Sequence, residues 1–263
     1  MFTPEARTAL RDTLIDAARR DERITGVALT GSASIDAEDR WSDIDIAFGV
    51  AASADRDALV AEWTERMYRD HDAVHHTDMM AGGALFRVFL RRDTLQVDIA
   101  FWPESEFGPI APTFRLVSGK ARERSGLPGA PSSGSLIGMA WLYALHARSS
   151  IARGKVWQAE YMISGVRDHA LALACVRHGV PAVQGRGMDQ LPAEVTAGFA
   201  TALVRSLDGA ELERAFRAVT ESLIVEIGLA DAGLAGRLTG VLRELAGGSP
   251  SAESVTIFPG RRF

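Results

Sequence analysis

The stretch from Gly26 to Val50, GVALTGSASIDAEDRWSDIDIAFGV, constrains the fold more than any other part of the chain. It reads as an apolar strand over Val27, Ala28 and Leu29, a turn at Gly31 and Ser32, a polar loop, and a second strand carrying Asp43 and Asp45. Successive side chains on a strand alternate between faces, so Asp43 and Asp45 project one way while Ile44, Ile46 and Phe48 enter a core. Two carboxylates side by side on a stiff surface repel each other and resist desolvation, so the pattern asks for a cation between them.

A third carboxylate stands in TLQVDIAFW, where Leu95, Val97, Ile99 and Phe101 take one face of an expected strand and Asp98 the other. If that strand lies beside the first, Asp43, Asp45 and Asp98 converge on one patch. Hard oxygen ligands with room left for water and phosphate suit one or two Mg²⁺ ions. The Gly31-Ser32 turn fits a polyphosphate nearby, because a residue without a side chain lets backbone N–H groups approach phosphate oxygens and the serine hydroxyl adds a donor.

At 263 residues the chain has room for one large domain or two ordinary ones. A net charge of −5 offers no basic field, which argues against work on a long nucleic acid and leaves open a small polar or cationic partner. The single cysteine, Cys175, lies in an apolar run and reads as core, which excludes disulfides and thiolate metal sites within one chain. No signal-peptide pattern and no apolar run of membrane-spanning length is found, which points to the cytoplasm.

Residues 3–20 form an expected amphipathic helix with Thr3 as cap and Ala6, Leu10, Leu14 and Ala17 in phase. Asp36, Glu38 and Asp39 fall in the polar loop and read as solvated. A second helix spans about 54–69 with Leu59, Trp63 and Met67 buried. The histidine-rich run HDAVHHTD looks like a metal cluster, but strand alternation sends His75 and His76 to opposite faces, so it reads as the polar side of a strand. Arg87, on the next strand, reads as a solvated residue.

Prolines and glycines from about Pro103 to Gly134 mark a linker region, and the chain beyond it reads as helical, with helices around 194–207, 210–226 and 234–245 near its end. Ala159, Ile163, Val166, Ala170 and Leu173 form a packing seam, with Glu160, Ser164 and Arg167 close in angle on a neighbouring face. The tail SPSAESVTIFPGRRF ends in a short β-prone run.

The ordered triple of Gly-Ser, Asp-x-Asp on a strand and a single Asp on a later strand, across residues 24–102, resembles the nucleotidyltransferase superfamily of DNA polymerase β type. With a helical region following, the chain is similar to the antibiotic nucleotidyltransferases acting on aminoglycosides and lincosamides, and to the minimal nucleotidyltransferases of toxin–antitoxin pairs. The resemblance implies an α+β architecture: a catalytic domain over 1–118, with a mixed sheet flanked by helices, then an all-α acceptor-binding domain over 119–263. It implies that ATP or another nucleoside triphosphate binds at Gly31 and Ser32, with Mg²⁺ on Asp43, Asp45 and Asp98, and that nucleoside monophosphate passes to a hydroxyl of a small acceptor such as an antibiotic.

By the same resemblance Glu160 matches the helical-domain carboxylate that takes the acceptor's proton. Ser164 stands where some relatives place a phosphate-binding lysine, so Lys155 or Arg167 would serve. The competing reading joins Glu160 and Arg167 in a salt-bridge network between helices. Helical domains of this sort often form homodimers. Alternatives are a toxin–antitoxin-type enzyme acting on a protein or tRNA, and a nucleotide sensor without turnover.

Overall fold

The computed structural model describes residues 1–123 and 129–247. The chain divides into two compact units, Met1–Gly129 and Ala130–Phe263. The sequence-based boundary at 118/119 falls at the end of the last strand of the sheet, before this division. The β-prone run of the tail lies outside the described residues.

The first unit holds a mixed six-stranded sheet of β1 (Ile24–Thr30), β2 (Ile44–Val50), β3 (Ala73–Ala81), β4 (Ala84–Arg91), β5 (Gln96–Pro103) and β6 (Phe114–Gly119), in the order β3-β4-β5-β2-β1-β6. Only β2 and β5 run parallel; the other neighbours are antiparallel. The β3–β4 hairpin turns at Gly82 and Gly83 and returns the chain so that β5 can lie beside β2.

Helices α1 (Pro4–Arg19) and α2 (Arg56–Asp70) supply the core of one face. Leu10 and Leu14 of α1 and Leu59, Trp63 and Met67 of α2 pack with Ile44, Ile46, Phe48, Val97, Ile99 and Phe101. The stripe of α1 is rotated from the expected one: Arg7, Leu10, Leu14, Ile15 and Ala18 are buried, whereas Ala6 is exposed. On the opposite face Ala28, Ala47, Ala84 and Ala100 form a small-residue floor covered by Trp102 and Phe107. Asp45 and Asp98 alternate with the α-helix-facing residues and therefore belong to this second face.

FRLVSG, expected as part of a linker, is β6 and closes the sheet against β1, with Thr30 opposite Phe114 and Leu29 opposite Arg115. The turn-forming residues around it masked a strand that gains its hydrogen bonds only from a distant partner.

The second unit is helical: α3 (Ser133–Ala152), α4 (Val156–His178), α5 (Ala193–Thr201), α6 (Gly209–Ala230) and α7 (Ala232–Gly247). The expected seam of α4 is buried in this unit's core together with Cys175, whose thiol is pushed up by burial. α5 stops at Thr201, short of the expected 207, because Arg214 takes the carbonyls of Thr201 and Leu203 at 2.6 and 2.8 Å and so satisfies the helix end. Among the described residues no helix is long and apolar enough to cross a membrane.

Candidate active site

The site is built where β2 and β5 run side by side. Their register sets Asp45 directly opposite Asp98, with Ile44 opposite Val97 and Ile46 opposite Ile99. Adjacent strands lie roughly 4.8 Å apart, so the two carboxylates rise from neighbouring positions on one face. Asp43 immediately precedes β2, and its Oδ2 accepts a hydrogen bond of 3.2 Å from Nε2 of Gln96, the first residue of β5.

Asp98 sits in a strained electrostatic setting. Its Oδ1 is buried and has no hydrogen-bond partner. Burial pushes the carboxyl up to about 6, and the negative charge of Asp43 adds to the rise. A carboxylate oxygen sealed from water and without a donor is costly to ionise, and a cation beside it would offset that cost.

Gly31 opens a 3-10 turn, Gly31–Ile35, at the end of β1. Its φ of +58° is left-handed, and a Cβ placed there would overlap Oδ2 of Asp45. Only glycine meets both demands, and the turn is thereby set against the Asp45 carboxylate. The Ser34 hydroxyl donates to the Gly31 carbonyl at 2.8 Å, and the Ser32 carbonyl accepts from the Ala37 amide at 3.0 Å. Ser32 itself is partly exposed beside Gly31.

The loop between the turn and Asp43 is held from beneath. Buried Arg7 pairs with Glu38 at 3.2 Å and donates to the carbonyls of Asp39 and Ser42. Arg11 pairs with Glu38 at 2.6 Å, and Arg115 of β6 binds both Asp36 and the Ala33 carbonyl. Glu38 is therefore not solvated as expected but serves as an anchor, with its side chain only 19% exposed. Sequence reasoning missed this clamp. The available signal was Arg7 itself, which lies in phase with Leu10 and Leu14 on an apolar stripe.

Other sequence candidates lie elsewhere. Arg87 is not solvated but holds Asp78 through two hydrogen bonds of 2.7 and 2.6 Å and also reaches Thr64. His76 accepts or donates at 2.9 Å to the Tyr68 hydroxyl, which engages it on the α2 side of the sheet. In the second unit the Ser164 hydroxyl donates to Glu160 Oε1 at 2.8 Å, while Arg167 pairs with its chain neighbour Asp168 at 2.8 Å. Glu160 and Arg167 thus do not form the salt bridge of the competing reading. Lys155 is exposed at the N-terminus of α4 and makes no capping bond with its side chain.

Among the described residues, no three His, Cys, Asp or Glu side chains are grouped as a ready-made metal cage. Mg²⁺ is held characteristically by one or two carboxylates with water and substrate phosphates completing the octahedron, so a carboxylate pair beside a glycine turn suits it without a closed cage. The donor chemistry fits: only hard oxygen ligands are present, and the buried Oδ1 of Asp98 lacks a partner.

Among solved structures, the chain is similar to an aminoglycoside 6-adenyltransferase from Bacillus subtilis, with a TM-score of 0.41 and 14% identity, over 93% of this chain and 99% of that one. No family model matches the sequence. No curated protein matches it either.

Proposed function

We propose that the protein is a Mg²⁺-dependent nucleotidyltransferase that moves AMP from ATP to a hydroxyl of a small acceptor and releases pyrophosphate. The observation that carries this reading is the buried, unpartnered Oδ1 of Asp98, in register with Asp45, next to Asp43 and on the sheet whose Gly31 turn abuts Asp45. Asp45 and Asp98, set opposite each other, would hold the metal, and Asp43 beside β2 adds its negative charge. Bound there, Mg²⁺ supplies charge neutralisation for the triphosphate and for the leaving pyrophosphate.

The chain's own groups do the rest. Backbone N–H groups at Gly31 and Ser32 orient the phosphates, and the Arg7 clamp holds the loop that presents Asp43, so that little reorganisation accompanies reaction. The acceptor hydroxyl attacks the α-phosphorus in line as the bond to the β-phosphate oxygen breaks. By the resemblance alone, removal of the hydroxyl proton is the role of Glu160, to whose carboxylate the Ser164 hydroxyl donates.

One face of α4 supports an acceptor of this class. Trp157, Glu160, Tyr161, Ser164 and Asp168 recur at helical spacing, and Trp157 and Tyr161 are 74% and 62% exposed. Tyr143 of α3 lies at a tilt to Tyr161, with ring centroids 6.3 Å apart. Aromatic rings beside carboxylates suit a polyhydroxylated molecule bearing ammonium groups, such as an aminoglycoside, better than the phosphates of a tRNA.

The test incubates the protein with Mg²⁺, ATP labelled on the α-phosphate and a panel of aminoglycosides and lincosamides. Acceptor-dependent label transfer that is abolished in Asp98→Asn and weakened in Glu160→Gln is expected. No transfer to any acceptor, with pyrophosphate release identical in wild type and Asp98→Asn, overturns the proposal.

A further inference from the structure

The loop that the Arg7 clamp secures presents a second group besides Asp43. Trp41 is 66% exposed, whereas the other tryptophans of the first unit, Trp63 and Trp102, are 2% and 4% exposed. Exposure of so large an apolar ring forgoes burial that the core elsewhere exploits.

Nor is Trp41 a loose surface residue. The carbonyls on either side of it, those of Asp39 and Ser42, are both held by the guanidinium of buried Arg7. Its own amide donates to Asp39 Oδ1 at 2.8 Å, and the Ser42 hydroxyl accepts from the Asp39 amide at 2.9 Å. The backbone is thus fixed from below while the indole stands out in solvent. The guanidinium of Arg40 lies over that ring, 4.5 Å from its centroid. One face of the indole therefore already accepts a planar, electron-poor group. One residue, Ser42, separates Trp41 from Asp43, so their Cα atoms lie within about 7 Å, a distance a ribose can bridge.

We infer that Trp41 is the stacking surface for the nucleobase of the triphosphate, with Arg40 as its planar companion. The inference rests on the nucleotidyltransferase reading, since it takes the triphosphate to lie at Gly31 and the aspartates. It adds a binding determinant for the part of the substrate that those groups do not touch. A base stacked on the indole takes the kind of contact that the Arg40 guanidinium makes now, and stacking of this sort tolerates different bases because each has a π-face. The rigid backbone matters because a ring held in place loses little freedom when the base settles on it.

The experiment measures Mg²⁺-dependent binding of ATP and of inorganic tripolyphosphate by calorimetry to wild type, Trp41→Phe, Trp41→Ala and Asp98→Asn, with melting temperatures as a folding control. The expected result is ATP binding weakened about ten- to a hundredfold in Trp41→Ala and much less in Trp41→Phe, with tripolyphosphate binding the same in all three chains that keep Asp98. If Trp41→Ala binds ATP as wild type does, while Asp98→Asn loses both ligands, the stacking inference is overturned and the nucleotidyltransferase reading stands. Equal weakening of ATP and tripolyphosphate in Trp41→Ala also overturns the inference, because it assigns the residue to the phosphates or to the loop's integrity. If wild type binds neither ligand, the functional reading fails and the inference goes with it.

Discussion

Both compact units pair structural carboxylates with arginine, and Asp98 of the sheet unit departs from that practice. In the helical unit Glu226 is 3% exposed, yet Arg177 reaches both of its oxygens at 3.0 Å. Glu211 is gripped by Arg214, whose hydrogen bonds hold its carboxyl down at about 2. In the sheet unit Glu38 is anchored in the same manner by Arg7 and Arg11. Asp98 is not: its Oδ1 is sealed away without a partner, and its proton is held up to about 6. A chain rich in arginine neutralises its structural carboxylates with guanidinium groups. Where it leaves a buried carboxylate oxygen unpartnered, beside another acidic group and a glycine turn, the proposed function gives that oxygen a cation.

The largest effect that would break this contrast is catalytic. Asp98→Asn keeps the shape of the side chain and removes its charge, so transfer activity should fall at least about a hundred- to a thousandfold with the fold intact; radiolabel transfer and circular dichroism together check it. An Asp98→Asn enzyme as active as wild type would place Asp98 among ordinary structural residues.

Next in size is the counterpart in the helical unit. Arg177→Ala strands buried Glu226 without its partner and should cost about 3 kcal/mol of stability, read from urea denaturation. A loss near zero would mean that the helical unit tolerates an unpaired buried carboxylate as readily as the sheet does, and the contrast would vanish.

Gly31→Ala comes third. The left-handed backbone and the overlap with Asp45 should together lower stability by about 1–2 kcal/mol and weaken nucleotide binding, since the new Cβ displaces the Asp45 carboxylate. Calorimetry with ATP separates the two effects, and unchanged binding would detach the turn from the site.

The smallest effect is the dependence on pH and metal. A carboxyl raised from 3.8 to about 6 binds its proton more tightly when folded than when unfolded. Below about 3.8 both states are protonated. As pH rises from there to about 6 the unfolded chain ionises first, so Asp98 takes stability away, and above about 6 the loss is constant. Without metal at pH 7, Asp98→Asn should therefore melt higher than wild type, and Mg²⁺ should raise the melting temperature of wild type alone. Transfer activity should fall as pH drops below about 6, where the proton competes with the metal. Melting curves at pH 5 and 7, with and without Mg²⁺, sharpen the comparison.

Much of this was legible locally. The alternation of Ile44, Ile46 and Phe48 assigned Asp45 to one face, and Leu95, Val97, Ile99 and Phe101 did the same for Asp98, because strand periodicity is a property of neighbours in sequence. The packing seam of α4 could be read for the same reason, and all five of its residues are buried. What could not be read were relations between distant segments. β6 gained its identity from β1, Arg7 served a loop more than thirty residues away, and Arg87 turned inward to Asp78 and Thr64. Trp41 went unnoticed because nothing near it in sequence says that an indole will be left in solvent over a clamped backbone.

By itself the sequence determined which residues share a face of each strand or helix, since φ and ψ preferences and side-chain alternation act over a few bonds. Only the tertiary structure decided that β5 lies parallel to β2 in the register that sets Asp98 opposite Asp45, that Gly31 closes on Asp45, and that Oδ1 of Asp98 is buried without a donor. Register and burial depend on strands brought together across dozens of residues. The proton affinity of Asp98, on which the proposed chemistry turns, is a consequence of that assembly and of no local pattern.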